Sequence, residues 1–213
     1  NTSNITENLT GLTENTHYEA QVRSLCNSET STWSDSIFFT TTTTPPCTNL
    51  FDATYPYTQS FESSGSITGD WTQETSDDFN WTVNSGGTGS QNTGPSTASV
   101  GSNYIYTEAN SQSGKNAIIN SPCFNLNNKT SATFSFDYHM YGGQMGSLTL
   151  QYSIDNGLNW LELWSLSGNQ GDSWNSVSTI NLTSHVGNYL RLRFIGTPAG
   201  NRSDMAIDNV SLN

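Results

Sequence analysis

Positive charge is scarce in this chain. Six of its 213 residues are lysine or arginine against 18 acidic ones, a formal net charge of -12. Proteins bind phosphate backbones by neutralising them with basic side chains, so nucleic acid is not an expected partner. No apolar run approaches the roughly 20 residues that cross a bilayer. The opening Asn1-Thr2-Ser3-Asn4 has neither the basic nor the apolar part of a secretory signal, which in a secreted chain would lie further upstream. Cysteine is limited to Cys26, Cys47 and Cys123, and none stands in a C-x-x-C pair, which argues against a thiolate zinc site. Three thiols allow one internal bridge. Cys47 with Cys123 is the favoured pairing because both fall in the main domain, and Cys26 with Cys47 is its rival. Spacing alone does not choose between them.

Catalytic signatures are also missing. There is no H-E-x-x-H, no G-x-S-x-G and no phosphate-cradling glycine loop. The three histidines, His17, His139 and His185, are far apart. His139 falls on the polar face of a strand pattern, which suits a hydrogen-bonded sheet histidine. A glycosidase pair such as Glu108 and Glu162 needs a defined carboxylate separation that the sequence does not establish. A non-catalytic role is therefore expected.

What the chain does have is aromatic and β-forming. Its hydrophobic content is 32%, but it includes 9 Tyr, 9 Phe and 6 Trp, which disordered segments lack. Phe134, Phe136, Tyr138 and Met140 alternate with Ser135, Asp137, His139 and Tyr141. Leu148, Leu150, Tyr152 and Ile154 repeat the pattern, and Asp155-Asn156-Gly157 then supplies hairpin chemistry. Leu190, Leu192 and Phe194 face one way, Arg191 and Arg193 the other. Further strands are expected near 57–61, 104–108, 117–123, 177–182 and 206–212. Nine or more strands without a convincing helix predict an all-β, antiparallel, jelly-roll-like β-sandwich.

The run TTTTTPP, residues 40–46, reads as an extended connector. It divides the chain into a segment 1–40, a linker 41–46 and a main domain 47–213. In the first segment Tyr18, Ala20 and Val22 alternate with polar residues, and 37–40 is a second strand. With Leu12, Thr16 and Trp33, this resembles the end of a fibronectin type III domain. The resemblance implies a tyrosine corner at Tyr18 and a partial sandwich.

The main domain resembles the MAM family, extracellular modules of meprins, neuropilins and receptor tyrosine phosphatases. The ordered segments carrying the resemblance include Ser60-Phe61-Glu62, Asp77-Asp78-Phe79-Asn80-Trp81 and Thr93-Gly94-Pro95. Ser121-Pro122-Cys123-Phe124, Phe136 to Gly142 (FDYHMYG) and Asp204 to Val210 (DMAIDNV) follow in the family's order. The versions most similar to it are those appended to secreted bacterial proteins of the Bacteroidetes type. The resemblance implies a secreted or cell-surface location, an adhesion role and an extracellular protein partner.

Two sites are expected. A structural calcium needs six to eight oxygens. Glu62, Asp77, Asp78 and Asp208 are its candidate ligands, since first and last jelly-roll strands run side by side and these positions match the family's acidic motif residues. The second site is a ligand surface on glycine- and asparagine-rich loops, 86–92 and 167–174. There Trp174 would stack on a sugar, with Asn169 and Asp172 fixing its hydroxyls. A carbohydrate-binding module attached to a secreted hydrolase, and so a polysaccharide partner, is the alternative to adhesion. The charge favours a monomer.

Overall fold

A computed structural model describes residue 9 and residues 11–26, 29–41, 47, 49–52, 55–63, 67 and 70–213. The chain divides into two compact units, Asn1–Pro45 and Pro46–Asn213. Except for Thr41, the expected linker lies outside the described residues.

The described part of the first unit contains β1 (His17–Ala20), β2 (Leu25–Cys26), β3 (Glu29–Thr30) and β4 (Ile37–Thr40). β1 pairs with β4 antiparallel, with Tyr18 opposite Phe39 and their rings stacked at 5.8 Å. The Tyr18 hydroxyl accepts the Thr13 N–H at 2.7 Å. Val22, expected on the buried face with Tyr18, is 73% exposed, because β1 ends two residues earlier.

The second unit is a sandwich of two sheets. Its strands are β5 (Leu50–Phe51), β6 (Tyr57–Gln59), β7 (Thr72–Gln73), β8 (Trp81–Asn84), β9 (Tyr104–Thr107), β10 (Ala117–Asn120) and β11 (Cys123–Asn125). They continue with β12 (Thr133–Met140), β13 (Ser147–Ser153), β14 (Leu161–Ser167), β15 (Asn175–Asn181), β16 (Tyr189–Thr197) and β17 (Met205–Leu212). One sheet runs β15-β12-β17-β9-β8, with β6 also on β17. The other runs β14-β13-β16-β10-β7, with β11 also on β16 and β5 parallel to β11.

Period-two patterning explains the layers, since successive strand residues point to opposite faces. Leu190, Leu192 and Phe194 of β16 are buried between the sheets. Phe134 and Phe136 of β12 meet Phe194 with ring centroids 6.2 and 4.9 Å away, and Trp71 stacks on it at 5.8 Å. Trp81 is buried, its indole N–H donating to the Ala117 carbonyl at 3.0 Å. Cys47 and Cys123 form a disulfide, with Cα atoms 6.1 Å apart, beside the β5–β11 pairing. Cys26 is free and exposed. The Asp155-Asn156-Gly157 turn joins β13 to β14, Asn156 and Gly157 both adopting positive φ (54° and 92°).

The outer face of the β12 sheet is unusual. Asp137, His139 and Asp208 point away from the core yet are buried, because loops 93–103 and 168–174 cover them.

Candidate functional site

Loop 93–103 is held along its length by side chains from distant parts of the chain. The Thr93 hydroxyl donates to the Tyr141 carbonyl at 2.8 Å and accepts the Asp204 N–H at 2.9 Å. The Gly94 N–H reaches the same Tyr141 carbonyl at 3.2 Å. Gly94 has φ +71°, and a Cβ there would lie 2.5 Å from Thr88, whose hydroxyl donates to the Thr93 carbonyl; only glycine fits. Further on, the Thr97 carbonyl accepts the Trp174 indole N–H at 2.8 Å. Asp208 accepts the N–H groups of Ser99 and Val100 at 2.9 and 3.0 Å, and the Ser99 hydroxyl donates to Asp137 at 2.7 Å. Glu62 receives the N–H groups of Ser102 and Asn103.

Loop 168–174 is pinned beside it. Asn169 accepts the N–H groups of Gly171 at 3.0 Å and Gly142 at 3.4 Å through its side-chain oxygen. Asp172, 63% exposed, lies 3.3 Å from the Nε2 of buried His139. Burial pushes the His139 pKa below the ordinary histidine value, with Asp172 opposing it, so at neutral pH the neutral ring donates its Nε2–H to the Asp172 carboxylate. The Trp174 ring packs edge-on against Tyr104 and His139, with centroids 5.8 and 5.5 Å away.

Between these loops lies a shallow, open, polar groove of about 250 Å³. Ser90, Asn92, Ser96, Tyr141 and Asp172 are among its lining residues. The two loops singled out in the sequence, some 80 positions apart, therefore share one surface. Asp172 lines it directly, Asn169 shapes its loop, and Trp174 is a brace beneath it whose indole N–H is already engaged.

The four expected calcium ligands are not gathered. Glu62 and Asp208 hold loop 93–103, whereas Asp77 and Asp78 accept the N–H groups of Ile118 and Asn116 at the start of β10. Each carboxylate is engaged by backbone donors. Among the described residues no three acidic, histidine or cysteine side chains converge on a common point. As placed, these residues do not fit one calcium shell, which needs six to eight oxygens around a single centre. Glu108 and Glu162 belong to opposite sheets, one following β9 and the other within β14, and do not form a glycosidase pair.

Asp137 escaped the sequence reading. Its signal was present: a carboxylate at an outward position of the most strongly patterned strand. It faces Asp208 across the β12–β17 pairing and accepts hydrogen bonds from Ser99, Ser176 and Asn209.

Burial raises the Asp208 pKa to about 6, its three backbone N–H donors opposing the rise and Asp137 adding to it. The charged form is thus disfavoured in the fold. Stability from this group is fully present below the unfolded value near 3.8 and is lost as pH rises through about 6. Relative to Asp208→Asn, the wild-type chain should gain stability as pH falls from 7.5 to 4.5, by at most about 3 kcal/mol. Paired thermal melts check this, since other titrating groups are common to both chains. A gap independent of pH would contradict it.

Comparison with known proteins gives the chain's family and fold. The family model described as MAM domain, meprin/A5/mu, matches residues 60–213. The human MAM domain-containing glycosylphosphatidylinositol anchor protein 2 is 35% identical over 164 residues, covering 67% of this chain and 16% of that protein. Neuropilin-1 of Xenopus laevis is 32% identical over 114 residues, covering 52% of this chain and 12% of that protein. The chain thus spans a small fraction of these relatives. Among solved structures, the K2 and K1 cleaved adhesin domains of Lys-gingipain, the latter from Porphyromonas gingivalis, superpose with TM-scores of 0.56 and 0.54. At 17% and 15% identity, covering 74% and 75% of this chain and 97% and 98% of those domains, they share its fold.

Proposed function

The chain belongs to the MAM family through residues 60–213, and on that premise we propose that it is a non-catalytic extracellular recognition module of a larger secreted or cell-surface protein. The observation that carries this reading is the groove itself. Two loops distant in sequence are fixed side by side by buried side chains, so the surface they present is set before a partner arrives. A preorganised surface avoids the ordering cost that weakens flexible ones. Its lining is hydroxyl, amide and backbone, with one carboxylate that faces His139, an arrangement suited to binding rather than to bond cleavage. One relative is named for a glycosylphosphatidylinositol anchor, which agrees with a cell-surface setting. Among the described residues no helix is long and apolar enough to cross a membrane.

The test is binding of the labelled full chain to a panel of extracellular matrix and cell-surface proteins. Ser96 is exposed at the groove, and Ser96→Arg fills it without touching the core. Saturable binding to a panel member should weaken at least tenfold in this variant while its melting temperature holds. Equal binding by both chains, or none by the folded wild type, overturns the reading. The second reading, targeting to a polysaccharide, is favoured by the opposite sheet, where among the described residues two arginines have no carboxylate in ion-pairing contact.

A further inference from the structure

The outer face of the β14-β13-β16-β10-β7 sheet holds two of the chain's six basic residues. Because Leu190, Leu192 and Phe194 point inward, Tyr189, Arg191 and Arg193 point outward. β13 sets Ser153 opposite Arg191 and Gln151 opposite Arg193, and β10 sets Asn120 on the other side of Arg193.

In a chain with 18 acidic residues, surface arginines ordinarily find carboxylates. These do not. Among the described residues no arginine or lysine lies within ion-pairing distance of a carboxylate; the one histidine–carboxylate contact is that of neutral His139 with Asp172. Arg193 donates from Nε to Gln151 at 2.8 Å and lies over the Trp160 ring, 4.3 Å from its centroid. Arg191 has one long contact, from Nη1 to Asn156 at 3.5 Å, and its buried Nε has no hydrogen-bond partner. The carboxylates of this face are held elsewhere. Glu74 accepts the N–H groups of Thr75 and Ser76 and the Asn120 amide, and Glu162 accepts the Ser165 hydroxyl. Partial burial depresses both guanidinium pKa values, with Glu74 opposing at a distance. Two partly desolvated charges with no carboxylate in direct contact are costly, and a carboxylate from outside, matching the planar fork of guanidinium donors, would relieve them.

We propose that this face binds a polyuronate, a linear polysaccharide bearing carboxylates, with Arg191 and Arg193 receiving those carboxylates. The inference rests on the second reading above and is independent of the loop groove. The rest of the face favours a sugar polymer over an acidic peptide. Beside β13 runs an open polar groove of about 420 Å³, lined by Ser147, Thr149, Glu162, Ser165 and Ser167 among others. Hydroxyls in such a row match a polyhydroxylated chain, whereas a peptide would need apolar anchor pockets. The Tyr189 ring, 43% exposed on the same side of the same strand, offers a face for a pyranose.

The test titrates the full chain with polygalacturonate and with its fully methyl-esterified form, which keeps the sugar backbone and loses the charge. Salt at 0.15 M screens repulsion between the acidic chain and the polymer beyond about 8 Å. The expected result is saturable binding to polygalacturonate, at least tenfold weaker for the ester, for Arg193→Gln and for Arg191→Gln. Should one glutamine variant fail to fold, the other and the ester comparison still decide. Ser96→Arg should bind polygalacturonate as the wild type does, so failure here and failure of the groove reading are separable. The inference is overturned by a folded wild type that does not bind, by equal affinity for the ester, or by folded Arg191→Gln and Arg193→Gln variants that bind unchanged. Equal binding of polyglutamate would reassign the face to acidic proteins, and loss of polygalacturonate binding in Ser96→Arg would move the polymer to the loop groove.

Discussion

Replacing Phe194 with alanine should lower stability by about 3–5 kcal/mol, the range for deleting a buried aromatic side chain. Phe194 is fully buried in the middle of β16, and Trp71 from one segment and Phe134 and Phe136 from β12 converge on it. Those rings are held by their own strands and cannot collapse into the space, so a cavity adds to the lost transfer free energy. In a domain of this size the change corresponds to a fall in melting temperature on the order of 10 °C. Leu158→Ala, at a position 55% exposed, is the control and should shift the melt by little. A Phe194→Ala chain melting within about 2 °C of the wild type would show that the two sheets do not pack as described.

Opening the disulfide should cost a comparable amount. Cys47 and Cys123 are 76 positions apart, and closing a loop of that length restricts the unfolded chain by about 4 kcal/mol in the entropic description. The folded chain loses an anchor too, since the bridge adjoins the short parallel pairing of β5 with β11. A Cys47→Ala/Cys123→Ala chain should therefore melt on the order of 10 °C below the wild type. The native oxidised chain should show one thiol per molecule to an aromatic disulfide reagent, that of exposed Cys26. Three titrating thiols, or a double variant that melts with the wild type, would contradict the assignment.

Much of the fold was legible because its strands obey a period of two. β12, β13 and β16 follow the alternation of Phe134, Leu148 and Leu190 onward, and β17 covers the strand expected near 206–212 although its burial does not alternate. β14 was less legible, since its burial is irregular and a register shift interrupts its pairing with β13. The site was legible in part. Glycine- and asparagine-rich composition singled out 86–92 and 167–174, both of which contribute to the groove, but not loop 93–103, and composition does not show that the segments share a surface. Trp174 read as a free ring because glycines surround it, whereas Thr97, Tyr104 and His139, which hold it in place, lie 35 to 77 residues away. Likewise Glu62, Asp77, Asp78 and Asp208 read as one metal shell because they are acidic. Their backbone partners, at 99–103 and 116–118, divide them into two groups that no residue type announces. The two outward arginines of β16 were visible as alternation, but only the three-dimensional neighbourhood shows that no carboxylate among the described residues is in ion-pairing contact with them.

The recognition surface depends on loop 93–103 being held in one shape before any partner binds. Amide hydrogen exchange of the unliganded chain tests this directly. The N–H groups of Ser99 and Val100 point at the buried Asp208 carboxylate rather than at a neighbouring strand. They should exchange at least tenfold more slowly than exposed loop amides such as those of Gly86 and Gly87, and Asp208→Asn should speed Ser99 and Val100 while the amides of β16 stay protected. Wild-type Ser99 and Val100 amides exchanging at the rate of an open loop would contradict a preformed groove.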